Sequence, residues 1–201
     1  MHFKFTKILT LLFLFLLAPA NGCSGISSTA ASSVEEYSCT AKTRMSRIPS
    51  TPDITLSTSR CEDYVFKKEK LSQAINLFVL EYSESFKIDK DLVWAMLHRL
   101  HIEVSAIPRT VDLAYDTHGK LVKNPAVSGL ALSPKHIWVE IKTSQIWSTS
   151  LAHELVHVII WTSNFGVHGD PDHEGDQFSG WTPKHTKFIR EFNKILLDYE
   201  I

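Results

Sequence analysis

The sequence predicts an α+β domain, because its apolar residues follow different periods in different parts of the chain. Residues 69–87 repeat apolar side chains at three- and four-residue steps, and residues 143–164 are apolar over most of a helical circumference. Residues 136–142 instead alternate apolar and polar side chains, which is typical of a strand. With 201 residues and 44% hydrophobic content, the chain can build one well-packed domain.

The first 22 residues have the features of a signal peptide. Lys4 and Lys7 precede an apolar run over residues 8–17, which is too short to span a membrane comfortably. Residues 18–20, Ala-Pro-Ala, fit a small-x-small cleavage site, whereas residues 20–23, Ala-Asn-Gly-Cys, resemble a bacterial lipobox with alanine in place of the usual leucine. We expect export, either as a cell-envelope lipoprotein anchored to the membrane through Cys23 or as a freely secreted protein.

Residues 23–60 are expected to be a tether, because they are rich in Ser and Thr and contain few large apolar side chains. The three cysteines leave one pair, Cys39 and Cys61, if Cys23 carries lipid. This pair is expected to form a disulfide in an oxidising compartment, which would contribute on the order of 3 kcal/mol in the chain-entropy model. Residues 61–201 then hold the folded domain.

The helix expected over residues 69–87 presents one apolar stripe for burial. The stripe consists of Leu71, Ile75, Phe78, Tyr82 and Phe86. A short helix is expected over residues 92–97, followed by strands near residues 100–105, 110–115 and 128–132.

The strand expected over residues 136–142 has two different faces. Ile137, Val139 and Ile141 form the face that we expect to pack against the core. The opposite face, expected to meet water or ligand, consists of His136, Trp138, Glu140 and Lys142.

The helix expected over residues 143–164 begins at Thr143 or Ser144, either of which can cap exposed backbone N–H groups, and ends before Gly166. Its nearly continuous apolar surface predicts a path through the centre of the domain. The last helix is expected to begin at Thr182-Pro183, a cap followed by proline at the first helical position. Its inward side chains are expected to be Phe188, Phe192, Ile195 and Tyr199.

The central helix carries the pattern His-Glu-x-x-His at His153, Glu154 and His157. At about 100° per residue, these three side chains share one sector of the helix. Two imidazoles there can bind one metal ion, and Glu154 can take a proton from a bound water whose pKa zinc lowers to roughly 7. The pattern therefore predicts a zinc site with the metal ligands and the general base that a hydrolase needs.

A catalytic zinc site normally takes three protein ligands, so a third ligand has to come from outside the helix. Residues 166–175 are turn-forming and crowded with nitrogen and oxygen ligands. We expect His173 to be the third ligand, and the alternatives are Glu174, His168, Asp170 and Asp172. A calcium loop is not favoured, because Trp181 stands where such a loop needs a bidentate glutamate.

His185 lies in the first turn of the last helix, where it can either face the cleft and stabilise a developing oxyanion or point into solvent. Tyr199 is a weaker candidate for a site residue. The histidines His98, His101, His118 and His136 lack metal spacing and are expected to be ordinary surface or hydrogen-bonded side chains. A formal net charge of -1 gives no electrostatic footprint for nucleic acid.

The His-Glu-x-x-His motif at His153, Glu154 and His157 resembles that of the zincin metallopeptidases. The resemblance implies a zincin-like domain: a small mixed sheet whose edge strand borders the cleft, a central motif helix and flanking helices. It also implies that the two histidines bind zinc, that Glu154 is the general base, and that the edge strand, expected at residues 136–142, aligns an extended peptide.

The resemblance does not extend to every branch of the zincins. Ile160 and Ser163 stand where metzincins have glycine and histidine, which excludes that branch. Gluzincins use a downstream helical glutamate, whereas this chain offers His173. The sequence is similar to short bacterial exported proteins in which the motif is followed by Gly-Asp-Pro-Asp and histidine.

The expected function is therefore that of a protease, a metallopeptidase with one zinc ion per chain that hydrolyses a peptide or protein substrate. The alternative is a surface-tethered zinc-binding protein in which the metal has a structural or binding role without turnover. The intact Glu154 favours the enzyme, because a purely structural site needs no acid there.

Overall fold

A computed structural model describes residues 44–58, 68–106, 108–115, 121–141, 145–163 and 180–201. These residues form an α+β fold with four α-helices and a five-stranded mixed sheet, which confirms the predicted class. The expected signal peptide and the cysteines Cys23, Cys39 and Cys61 lie outside the described residues.

Along the described chain, two strands and two helices come first, followed by seven strands and then two more helices. The elements are β1 (Arg44–Arg47), β2 (Thr55–Thr58), α1 (Lys68–Phe86), α2 (Lys90–Leu97), β3 (His101–Ser105), β4 (Arg109–Thr110), β5 (Leu113–Tyr115), β6 (Leu121–Lys123), β7 (Ala126–Val127), β8 (Gly129–Ser133), β9 (His136–Glu140), a 3₁₀ turn (Ile146–Ser148), α3 (Leu151–Ser163) and α4 (Pro183–Asp198).

The main sheet has the strand order β1-β2-β3-β9-β8. The inner pairs β2·β3 and β3·β9 are parallel, whereas β1 and β8 at the two ends pair antiparallel with their neighbours. The short pairs β4·β7 and β5·β6 form two small antiparallel ladders in the connection between β3 and β8. Among the described residues, no helix has the length and hydrophobicity of a membrane-spanning segment.

The tether was predicted to extend to residue 60, but this boundary is too late, because the strands at residues 44–47 and 55–58 belong to the sheet. Ile48, Ile54 and Leu56 are buried in the core, and Ile54 and Leu56 are at most 1% exposed. The low density of apolar residues predicted a tether, but three well-placed apolar side chains are enough when a neighbouring strand supplies the backbone hydrogen bonds.

The predicted helices α1 and α2 are confirmed. The residues Leu71, Ile75, Phe78 and Tyr82 are buried on α1, and Phe86 is half-buried against the same core. Asp89 caps α2, where its carboxylate accepts hydrogen bonds from the N–H groups of Asp91 and Leu92 at 2.7 and 3.3 Å. The strand predicted near residues 100–105 is also confirmed, as β3.

The strand predicted over residues 136–142 is confirmed as β9, but two expectations about it are wrong. Its second face is not open, because Trp138 is fully buried and Glu140 is 6% exposed. Arg109 from β4 covers this face, with its guanidinium carbon 4.9 Å from the centre of the Trp138 ring. The strand is also not at the edge of the sheet, since β8 pairs with its outer side.

The helix α3 begins at Leu151, later than the predicted start at Thr143 or Ser144, which lie outside the described residues. A 3₁₀ turn precedes it, and the N–H groups of Ile146 and Trp147 donate to the main-chain oxygen of Ile201 at 3.1 and 3.2 Å. These tertiary hydrogen bonds replace the intrahelical bonds that an earlier start would require. The Thr149 hydroxyl accepts a hydrogen bond from Leu151 N–H at 3.2 Å.

The predicted start of α4 at Thr182-Pro183 is confirmed. Phe188 and Phe192 are buried as expected, and Leu196 continues their stripe. Tyr199 is 68% exposed, so its predicted inward position is wrong, and Ile195 is only half-buried. The buried stripe advances by four residues from 188 to 196, and Tyr199 lies beyond the last helical residue, Asp198.

The helix α2 offers a matched test of the core. Leu97 is fully buried and Leu92 is 51% exposed, so we expect Leu97→Ala to lower the free energy of unfolding by roughly 2–5 kcal/mol and Leu92→Ala by less than about 1 kcal/mol. Urea denaturation followed by circular dichroism measures both. Equal denaturation midpoints for the two variants would contradict the described packing of α2.

Candidate metal and catalytic site

The motif side chains lie together on α3, as the sequence predicts. The imidazole rings of His153 and His157 have centroids 5.0 Å apart and planes inclined by 64°. Both side chains are half-buried, whereas Glu154 between them is 3% exposed. Two adjacent imidazoles on one helix have the chemistry and the spacing to share a zinc ion.

Glu154 lies against β8. The backbone N–H of Ala131 donates a hydrogen bond to its carboxylate. Burial raises the pKa of Glu154 to about 8, and the hydrogen bond from Ala131 opposes part of that rise. A carboxyl group in this environment exchanges a proton near neutral pH, and a cation beside it would lower its pKa again.

The outer edge of β8, the side that faces away from β9, is where Glu154 reaches the sheet. Glu140 N–H donates to Ser128 C=O at 2.8 Å, so these two residues face each other as a hydrogen-bonded pair. Hydrogen-bonded and non-hydrogen-bonded pairs alternate along an antiparallel ladder, so Gly129 and Ala131 occupy non-hydrogen-bonded positions opposite β9. Their main-chain polar groups therefore point away from β9 and toward the outer edge. The hydrogen bond from Ala131 N–H to Glu154 agrees with this orientation.

Trp181 forms a wall beside the motif imidazoles. It is 5% exposed, and its ring centroid lies 5.2 Å from that of His153 and 4.9 Å from that of His157. Its indole N–H donates to the Thr186 hydroxyl at 3.1 Å, which fixes the ring to α4. Sequence reasoning missed this residue; its only signal was an aromatic side chain directly before the cap of α4.

His185 is buried, with 7% exposure, so the solvent-facing alternative is wrong. Its Nδ1 accepts a hydrogen bond from Thr182 N–H at 3.0 Å, as the third helical residue of a capping box. Nε2 lies 3.2 Å from the Tyr82 hydroxyl, and with Nδ1 accepting, the proton of the neutral ring is on Nε2. Both ring nitrogens thus make hydrogen bonds within the fold, and the oxyanion role of His185 stays a prediction.

The environment of His185 favours the neutral ring. Burial, together with the charge of Lys184, lowers the pKa of His185 to about 4. The ring stacks on Phe86 with centroids 4.4 Å apart and lies 5.8 Å from Trp181. His185 therefore belongs to an aromatic layer that connects α1 and α4 to the wall of the motif site.

The third zinc ligand lies beyond what the structure describes. Within the described ranges, no three His, Cys, Asp or Glu side chains converge in a way that could hold a metal ion. The candidates all belong to residues 164–179, outside those ranges: His173, Glu174, His168, Asp170 and Asp172. The described donors, two imidazoles and a neighbouring carboxylate, fit zinc by their chemistry.

A second cluster of histidines lies on the opposite face of the sheet. The ring nitrogens of His101 lie 3.0 and 2.9 Å from the hydroxyls of Thr55 and Ser57. His136 Nε2 lies 3.4 Å from Glu103, which also pairs with Arg109. These bonds confirm that His101 is a hydrogen-bonded side chain, and the cluster is separated from α3 by the sheet.

Comparisons of this chain with protein-family models, with curated proteins and with solved structures gave no match. The chemistry of the candidate site depends on three features: the paired imidazoles of α3, the buried Glu154 and the outer edge of β8.

Because its pKa is raised, Glu154 contributes more to the free energy of unfolding as the pH falls toward 4.5. The contribution of His185 changes in the opposite direction: it falls as the pH is lowered from 6.5 toward 4, because in this window the unfolded chain protonates His185 and the folded chain does not. The loss for this group alone is roughly 3 kcal/mol. Urea denaturation at several pH values should show a less positive slope of the free energy of unfolding against pH for His185→Gln than for the wild type, and the same substitution at the exposed His98 serves as the control. Parallel slopes for wild type and His185→Gln would refute this linkage.

Proposed function

We propose that this chain is a zinc-dependent metallopeptidase of the zincin type, which hydrolyses peptide bonds by attack of water. The observation that carries the proposal is the position of Glu154: its carboxylate lies at the outer edge of β8 and follows directly after His153 in the chain. A general base, a pair of metal-binding imidazoles and a strand edge for substrate are thereby close to one another.

His153 and His157 would hold the zinc together with His173, for which Glu174 and His168 are the alternatives. Zinc, when bound, lowers the pKa of water to roughly 7 and polarises a carbonyl. Glu154 accepts the proton of the attacking water on its carboxylate and passes it to the leaving amine. Its burial supports this shuttle, because a low-polarity environment stabilises the protonated form.

The substrate would lie along the outer edge of β8, in place of the strand over residues 136–142 that the sequence suggested. The main-chain groups of Gly129 and the C=O of Ala131 point toward that edge, whereas the Ala131 N–H already donates to Glu154, so an extended peptide can add to the sheet through backbone hydrogen bonds to these remaining groups. Such binding needs few side chains, and it brings the scissile bond beside Glu154.

The proposal also includes the processing that the sequence predicts. The chain would be exported and either secreted or anchored in the bacterial envelope through lipid on Cys23, with a disulfide between Cys39 and Cys61. These residues lie outside the described part of the structure. The partners would be a peptide or protein substrate and, for the lipidated form, the membrane.

A second candidate function is a tethered zinc-binding protein without turnover. The hydrogen bond between Ala131 N–H and Glu154 favours it, because a carboxylate that accepts a backbone N–H in the interior also has a structural role. The two functions differ in whether Glu154 is needed for chemistry or only for folding.

Replacing Glu154 with glutamine separates these functions. We expect Glu154→Gln to retain one zinc ion per chain and to lose peptide cleavage by a factor of about 10² or more, because the amide cannot accept the proton of water. Metal content by mass spectrometry and new peptide termini from a diverse library measure the two properties. Glu84→Gln, on an exposed position of α1, should cleave like wild type. Wild-type cleavage by Glu154→Gln would exclude the proposed mechanism.

Trp181 reports on metal binding without any need for turnover. Because its ring contacts both motif imidazoles, we expect Co²⁺ or Cu²⁺ to quench its fluorescence on binding to the apoprotein. Most of the quenching should disappear in Trp181→Phe and should persist in Trp94→Phe, a half-buried tryptophan of α2. Unchanged quenching in a His153→Ala, His157→Ala double variant would mean that the metal binds elsewhere.

A further inference from the structure

We infer that Gly129 is a positioning residue for Glu154: its missing side chain leaves the space that the carboxylate occupies at the outer edge of β8. The catalytic consequence rests on the proposed function, whereas the packing consequence does not. Glycine is rare inside strands, because it has no side chain to pack and loses much entropy on folding, so its presence indicates a close approach.

The space around Gly129 is already filled. A Cβ atom at this position would lie 2.3 Å from Glu154 Oε1, 2.9 Å from Glu154 Cδ and 2.7 Å from the Cβ atom of Ser150. The Gly180 backbone has a positive φ of 114°, but Gly129 is not among the described residues with positive φ. Gly129 is therefore required for space and not for an unusual backbone conformation.

The groups that a Cβ would meet have little room to yield. Glu154 is 3% exposed, so its carboxylate cannot turn into solvent without disturbing the packing between α3 and β8. Ser150 directly precedes α3, and its Cβ atom moves only with the backbone. A side chain at position 129 must therefore displace the carboxylate, the start of α3, or both.

Gly129 and Ala131 both adjoin Glu154, Gly129 through the space that a Cβ atom would fill and Ala131 through its main-chain N–H. Both lie opposite residues of β9 that face the core, Val139 and Ile137. Gly129 supplies the room for the carboxylate and Ala131 supplies a backbone donor. Together they fix the carboxylate beside the main-chain groups to which an extended substrate would bind.

A double-mutant cycle on stability tests the packing contact. We expect Gly129→Ala to lower the Tm by several degrees, and by a smaller amount in a Glu154→Ala background, where the two clashing atoms of Glu154 are absent and the Cβ atom of Ser150 remains. Leu130→Ala, the next residue of β8 on the opposite face, should lower the Tm equally in both backgrounds. An equal loss for Gly129→Ala in the two backgrounds would overturn the inference.

Kinetics tests the positioning role. In the zinc-loaded enzyme, Gly129→Ala should lower kcat by about tenfold or more with KM and zinc content nearly unchanged, because a base displaced by about 1 Å costs rate without removing binding groups. Glu154→Asp should cost less rate in the Gly129→Ala background than in wild type, since the shorter side chain fits beside the added methyl group. Additive losses would overturn the positioning role.

The two tests separate this inference from the proposed function. Coupled Tm values together with no hydrolysis by wild type would support the Gly129–Glu154 contact and overturn the metallopeptidase. Hydrolysis by wild type and an unchanged kcat for Gly129→Ala would support the metallopeptidase and overturn the positioning role.

Discussion

The packing of α3 against β8 and β9 is the contact on which the rest of the site depends. The helix buries apolar side chains over most of its circumference, and His153, Glu154 and His157 share one sector of it. A buried carboxylate is costly unless it is hydrogen-bonded, and the N–H of Ala131 meets that need. The close approach of helix and strand in turn requires glycine at position 129.

A layer of aromatic side chains connects this contact to the remaining helices. Trp181 lies against the motif imidazoles, His185 lies beside Trp181, and Phe86 stacks on His185. The hydrogen bonds of His185 to Thr182 and Tyr82 hold the start of α4 against α1. The geometry beside the imidazoles is thus set by residues of three helices, although the motif itself lies on one.

Much of the fold was predictable from local patterns. Three features could be predicted because each depends on the residues of a single element: the apolar stripe of α1, the alternation of β9 and the Thr182-Pro183 start of α4. The errors came from long-range contacts: β1 and β2 join the sheet through β3, and the turn before α3 bonds to Ile201. Sequence patterns contain no information on such partners.

For the site, the sequence by itself determined which side chains share a sector of α3, because helical geometry fixes the relative positions of residues 153, 154 and 157. Tertiary structure alone decided what surrounds them. The strand at the edge proved to be β8 instead of β9, Trp181 became the wall beside the imidazoles, and Gly129 became the neighbour of Glu154. Each of these contacts joins residues far apart in the chain or in separate elements, and such contacts depend on how whole helices and strands pack.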